Sequence, residues 1–284
     1  MRKAQFAGTF YEHLESRLKA QLESCFLGER GPGSLPNVKA DKKVKAIIVP
    51  HAGYAYSGAC AAWAYKALAE SKMPDLFILI GPSHHSHESG FSLETFETPL
   101  GMVRVKQDFA IKLAEKGTIK QNEAIHQKEH SLEVQLPFLQ FVFQKHAEKI
   151  KILPILISQD VDLAKLAVDL KETIVDMGIT VTYIISSDFT HFGPNYRYVP
   201  FSSDVKNKIY DLDANAIEFI KKLESNEFVK YVNETFATIC GTLPIALLLK
   251  TLKPSKVSLE QYYTSGDVVG SYKNSVSYAS IVFT

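Results

Sequence analysis

Short apolar runs of strand length recur along the chain, and each stops on residues that can do chemistry. Ala46-Ile47-Ile48-Val49 runs into Pro50-His51-Ala52-Gly53-Tyr54, and Leu76 to Ile80 runs into Gly81-Pro82-Ser83-His84-His85-Ser86-His87. Val181 to Ile185 runs into Ser186-Ser187-Asp188-Phe189-Thr190-His191-Phe192-Gly193, and Ile152 to Ile157 ends at Ser158. In an open α/β sheet, ligands bind beyond the carboxyl ends of the strands. If these strands are parallel neighbours, several of the nine histidines converge on one cleft. That is the pattern of a metal or acid–base site.

Helical periodicity fills the intervals. Leu14, Leu18, Leu22 and Phe26 recur every four residues, ahead of the breakers Gly28 and Gly31-Pro32-Gly33. Alanine-rich Gly58 to Glu70, His130 to Gln144, Val161 to Met177, Asp204 to Leu223, Glu227 to Asn233 and Gly241 to Leu252 also read as helices. Phe91 to Thr95 and Met102 to Val105 read as a strand pair around Pro99 and Gly101, and Val257 to Tyr263 and Val276 to Phe283 as later strands. Strands alternating with helices predict an α/β fold with a mostly parallel central sheet flanked by helices. The chain of 284 residues is read as a single domain, 1–284.

Charge excludes some partners. With 32 basic and 31 acidic residues the net charge is +1, so no bulk field favours nucleic acid or a membrane surface. The lysine-rich stretch Lys39, Lys42, Lys43, Lys45 reads as a solvated linker. No apolar run approaches the roughly 20 residues needed to span a bilayer. Met1 to Phe10 lacks the apolar core of a signal peptide. Three cysteines, Cys25, Cys60 and Cys240, form no CxxC pair and suggest a reducing compartment. A cytoplasmic location is the expectation.

The candidate site residues differ in what each can do. His51 follows a strand end, where loops carry function. Neutral imidazole is the commonest metal ligand. Adjacent side chains on an extended chain point oppositely, so one of His84 and His85 faces a given ion and the other takes an outer or substrate-binding place. Asp188 stands three residues before His191 and can orient that imidazole as a general acid–base. Asp188 also suits a turn or N-cap. His130 and Glu133 lie one helical turn apart. Capping is the preferred reading of that pair, with His130 the one to act. Cys240 precedes Gly241, where an apolar helix begins, and a thiol at a helix N-terminus has a lowered pKa. Cys25 and Cys60 read as core. No P-loop, GxGxxG, HExxH or GxSxG motif occurs.

Taken together, these segments resemble the Memo family. The resemblance rests on Pro50 to Tyr54, Gly81 to His85, Glu129-His130-Ser131-Leu132-Glu133, Ser186 to His191 and Thr238-Ile239-Cys240-Gly241. Ala7 to Tyr11 and Ser275 to Ala279 extend it over essentially the whole chain. It implies the fold of class III extradiol dioxygenases, non-haem iron enzymes that open catechol rings. Animal members are linked to motility signalling and phosphotyrosine-peptide binding, with copper or iron redox activity proposed. Microbial members often accompany a radical SAM protein. By this resemblance His51, His84 and Cys240 fall on metal positions and His191 on the catalytic-histidine position, with Asp188 beside it. Tyr54, His85 and His130 are expected to line the substrate cleft. Cys240 takes the place of the dioxygenase carboxylate, and thiolate is softer, which favours Cu(I), zinc or iron. Iron or copper is the expected cofactor, with zinc a third option.

Three readings follow. One is a metal-dependent oxidoreductase of unknown substrate. The second is a non-catalytic protein whose vestigial cleft binds a peptide or small anion. The third, a Cys240–His191 nucleophilic enzyme, lacks an oxyanion-hole signature.

Overall fold

A computed structural model describes residues 1–37 and 43–284. Lys39 and Lys42 of the lysine-rich stretch lie outside the described residues. After α1 (Glu15–Leu27) come β1 (Ala46–Val49), α2 (Tyr54–Ala69), β2 (Leu76–Pro82), β3 (Gly90–Phe91), β4 (Phe96–Thr98) and β5 (Gly101–Val105). Next are α3 (Gln107–Glu115), α4 (Glu123–Gln127), α5 (Leu136–Val142), β6 (Lys151–Ile157), α6 (Leu163–Met177), β7 (Val181–Ser186) and β8 (His191–Phe192). The chain continues through α7 (Val205–Lys221), α8 (Ser225–Thr235), α9 (Thr242–Thr251), β9 (Val257–Thr264), α10 (Ser265–Val269) and β10 (Ser275–Phe283).

The strands form one mixed sheet in the order β4-β5-β6-β2-β7-β1-β10-β8, with β3 on β6 and β9 on β10. From β5 to β1 every pairing is parallel, and β10 joins β1 antiparallel. The fold is therefore α/β with a mostly parallel central sheet flanked by helices. Its central strands β1 and β2 are buried along their whole length because both faces are covered. Ile47, Val49, Phe77 and Leu79 face one core with α1, α2 and α5. Their neighbours Ala46, Ile48, Ile78 and Ile80 face a second core containing residues of α6 and α9. Alternation of side chains along a strand divides the two.

Two element readings need correction. The hairpin partner of β5 is Phe96–Thr98, not Phe91 to Thr95, because Phe91 turns to pair with Ile155 of β6. The helix expected over His130 to Gln144 begins only after a 3-10 turn, Glu133–Gln135. His130 stands outside it, in the preceding loop. No helix among the described residues is long and apolar enough to cross a membrane.

Candidate metal centre

β2, β7 and β1 are adjacent and parallel, so the segments leaving their carboxyl ends share one edge of the sheet. His51 leaves β1, His84 leaves β2, and Ser186 to Asp188 leave β7. Two close approaches complete the site. A Cβ on Gly81 would lie 2.7 Å from Ser131 Oγ, so its hydrogen lets the His130 loop settle on β2. A Cβ on Gly241 would lie 2.3 Å from Ser187 Cβ, which brings Cys240 against the end of β7.

His51, His84 and His130 each offer a ring nitrogen, and these nitrogens lie within 4.8 Å of one another. The rings of His84 and His130 stack at 4.9 Å, and His51 meets them edge-on at 5.2 and 5.3 Å. Exposure is graded: His51 is buried, while the His84 and His130 side chains are 27% and 18% exposed. The cluster is thus open from the His84 side.

Hydrogen bonds fix the tautomers. Ser186 Oγ donates its proton to Ser131 O at 2.6 Å and accepts from Gln135 Nε2 at 2.9 Å. A hydroxyl has one donor and two acceptor positions, so the 2.9 Å contact from His51 Nδ1 is a donation to Ser186. The lone pair of His51 is therefore on Nε2. Glu129 does the same for His84: its carboxylate accepts from Nδ1 at 2.9 Å and from the backbone N–H at 2.7 Å. Burial first, and His84 next, push the pKa of His51 well below the usual value. Burial, with His51 next, lowers that of His130 to about 3. Both stay neutral at physiological pH, the form in which imidazole ligates metal. Burial alone would raise the Glu129 pKa, but its bonds to His84 and to the Ser131 N–H more than reverse this, holding it well below the carboxylate range. Three converging ring nitrogens, with Nδ1 of His51 and of His84 committed to outer partners, make a donor set that fits a transition metal.

Cys240 flanks this group. Its Sγ is 3.1 Å from His51 Nε2 and accepts from Asp188 N at 3.2 Å. Because His51 Nε2 carries the lone pair, the thiol is the donor in that contact. The lowered thiol pKa expected from the start of α9 is not what the site produces. Burial, and then Asp188, raise it well above the normal value, outweighing any helix effect.

Asp188 holds the His51 loop rather than the His191 ring. Its Oδ1 accepts from the N–H groups of His51 at 2.8 Å and Ala52 at 3.3 Å. Burial raises its pKa, against the lowering influence of His191 and these bonds. His191 is oriented instead by carbonyls: Nδ1 lies 2.9 Å from Phe189 O and 3.0 Å from Thr238 O. Tyr54, expected in the cleft, lies in the core, where its hydroxyl donates to Val134 O at 2.5 Å. His85 is exposed at the mouth, its ring 6.5 Å from that of His84. His130 and Glu133 do not share a face. His130 packs on Phe10 and Phe6, while Glu133 is fully buried against Arg2 and Tyr11.

Sequence reasoning gave no role to Glu129, Ser186 or Gln135, although Glu129 sits beside His130. A glutamate or serine next to a histidine motif is the signal for such outer partners.

Comparison with known proteins gives the family. A family model described as "Memo-like protein" matches residues 2–282. A MEMO1 family protein of Methanopyrus kandleri is 34% identical over 99% of this chain and 98% of its own. One of Sulfurisphaera tokodaii is 36% identical over 98% and 97%, and one of Thermococcus kodakarensis 34% identical over 98% and 97%. The chain belongs to the Memo family.

Proposed function

We propose that this protein is a metal-dependent oxidoreductase acting on a small organic substrate at the His51–His84–His130 cluster. The observation that carries the reading is the convergence of three imidazole nitrogens within 4.8 Å, with Nδ1 of His51 and His84 already committed to Ser186 and Glu129. His51 and His84 are two ligands; His130 and Cys240 compete for the next position. When bound, iron or copper supplies one-electron chemistry and a Lewis acid, and zinc only the latter. The chain's own groups do the rest. Asp188 fixes the His51 loop through two N–H bonds. His191, its Nδ1 held by carbonyls, takes or returns a proton at Nε2. The exposed edge of His84, with His85 beside it, faces the substrate's entry.

The test is the metal content of anaerobically purified protein beside four variants. About one iron or copper per chain is expected, lost in His51→Ala and His84→Ala. Whichever of His130→Ala and Cys240→Ser also loses it identifies the next ligand. His191→Gln should keep the metal. Protein that carries no metal and takes none up on reconstitution would overturn the reading and leave a ligand-binding cleft.

A further inference from the structure

Arg2 is 1% exposed and Glu133 is fully buried. The backbone of Arg2 is stitched to the chain beside β4, with Arg2 N donating to Thr95 O and Glu97 N to Arg2 O. Its side chain then runs inward under the loop that carries Glu129 and His130. Nε donates to His126 O at 2.7 Å, Nη2 to Glu129 O at 2.7 Å, and Nη1 to Glu133 Oε2 at 2.5 Å. The guanidinium is a rigid planar fork, so these three acceptors are set at fixed spacing. Glu133 closes the other side. It accepts from Tyr11 Oη at 2.7 Å, Phe6 N at 2.8 Å and Gln5 N at 3.2 Å. The segment so fastened brings Phe6 and Phe10 onto the His130 ring.

We infer that Arg2 and Glu133 are positioning residues for the imidazole cluster: a dry clamp that sets where Glu129 stands, and through Glu129 the tautomer of His84 and the seat of His130. The loop after β2 leaves a central strand, with Ser83 N donating to Ile157 O at 3.1 Å, and beyond that point it and the loop before the 3-10 turn run without regular structure. Glu129 reaches across both, bonding His84 at two points and Ser131 N at 2.9 Å. Arg2 holds the backbone of Glu129 itself. A buried ion pair is seldom the most stabilising filling for a core, whereas its directional bonds suit the placing of a loop. The consequence for metal rests on the function proposed above; the consequence for the tautomer does not.

The test uses Arg2→Met, Arg2→Lys and Glu133→Gln, with Leu166→Ala as a destabilising control in the opposite core. Arg2→Lys keeps the charge but not the fork, so it remains informative if Arg2→Met fails to fold. Two readouts are taken: ring-nitrogen NMR of His84 in metal-free protein, and titration with Co(II). Wild type should show His84 protonated at Nδ1. The clamp variants should show mixed tautomers and bind cobalt about tenfold more weakly or worse. Leu166→Ala should lose stability and change neither readout. An unchanged His84 tautomer in folded clamp variants overturns the inference, as does an equal change in Leu166→Ala. If wild type binds no cobalt, the metal reading fails and the tautomer decides the clamp by itself.

Discussion

His51 and His84 each stand two residues beyond a central strand, β1 and β2, but the bonds that hold them differ, and His130 stands on the loop that also carries Glu129. The two halves of the cluster are consequently held by different means. On the His51 side, neighbouring strands and several independent hydrogen bonds fix one buried ring. On the His84 side, one carboxylate orients a partly exposed ring, and one buried arginine holds that carboxylate's backbone. The first half is tied to the ends of β1 and β7 by several bonds, from His51 to Asp188 and Ser186 and from Gln135 to Pro50. The second depends on a few side chains distant in sequence, which also leaves it open to substrate.

Replacing one carboxylate in each half by its amide separates them most strongly. Glu133→Gln leaves Arg2 charged and unpaired in a dry site, and removing one member of a buried pair costs about 3–5 kcal/mol. Asp188→Asn keeps an oxygen for the N–H groups of His51 and Ala52. Because burial already favours protonation of Asp188, the amide should cost only about 1 kcal/mol. Denaturant unfolding of metal-free protein measures both. Equal losses would erase the distinction between the halves.

Acid should also weaken the His84 half, through His126. This histidine is buried with Nε2 3.2 Å from Gly90 O, and its backbone oxygen accepts from Arg2. Burial lowers its pKa from 6.5 to about 4. Between those values the unfolded chain takes a proton that the folded chain refuses. Its contribution is therefore whole above pH 6.5, falls as pH drops towards 4, and is flat below. The slope is about 1.4 kcal/mol per pH unit, or roughly 3 kcal/mol over the interval. His126→Gln should flatten the acid limb of the stability curve by that amount relative to wild type. A limb of unchanged steepness would show that His126 is not part of the acid response.

Sequence periodicity located what periodicity controls. The runs at Ala46 to Val49, Leu76 to Ile80 and Val181 to Ile185 are the adjacent parallel strands that carry the site. The four-residue spacing of Leu18, Leu22 and Phe26 is the buried face of α1. Convergence of His51 with His84 follows from that alternation. What escaped depends on contacts across the fold. No motif marks Arg2, and only the packed structure places it against Glu133. The spacing of His130 and Glu133 resembles a helix face, yet His130 precedes the helix and the two side chains diverge. The direction of the Cys240 shift comes from burial, and then from Asp188, remote in sequence, neither of which a helix-end motif encodes. Five-residue α4 is too short for periodicity to show, whereas α3 carries Phe109, Ala110 and Leu113 at helical spacing, a signal that sequence reasoning missed.

The smallest effect should come from the deepest partner of His51, and it distinguishes redundancy from mere distance. Tyr65 Oη lies 3.0 Å from Gln135 Oε1 and 3.1 Å from Gln135 O. Gln135 Nε2 donates to Pro50 O at 3.0 Å and to Ser186 Oγ, and Ser186 accepts from His51. Tyr65→Phe removes the outermost link and should cost about 1 kcal/mol. The tautomer of His51 should survive, because flipping the Gln135 amide would turn its oxygen onto Pro50 O. Ser186→Ala removes the acceptor itself, so Nδ1 loses its partner and metal binding should weaken about tenfold. Ring-nitrogen NMR of His51 with a cobalt titration compares the two variants. A tautomer change in Tyr65→Phe would mean that the His51 half is a single chain of bonds, as fragile as the half that Arg2 supports.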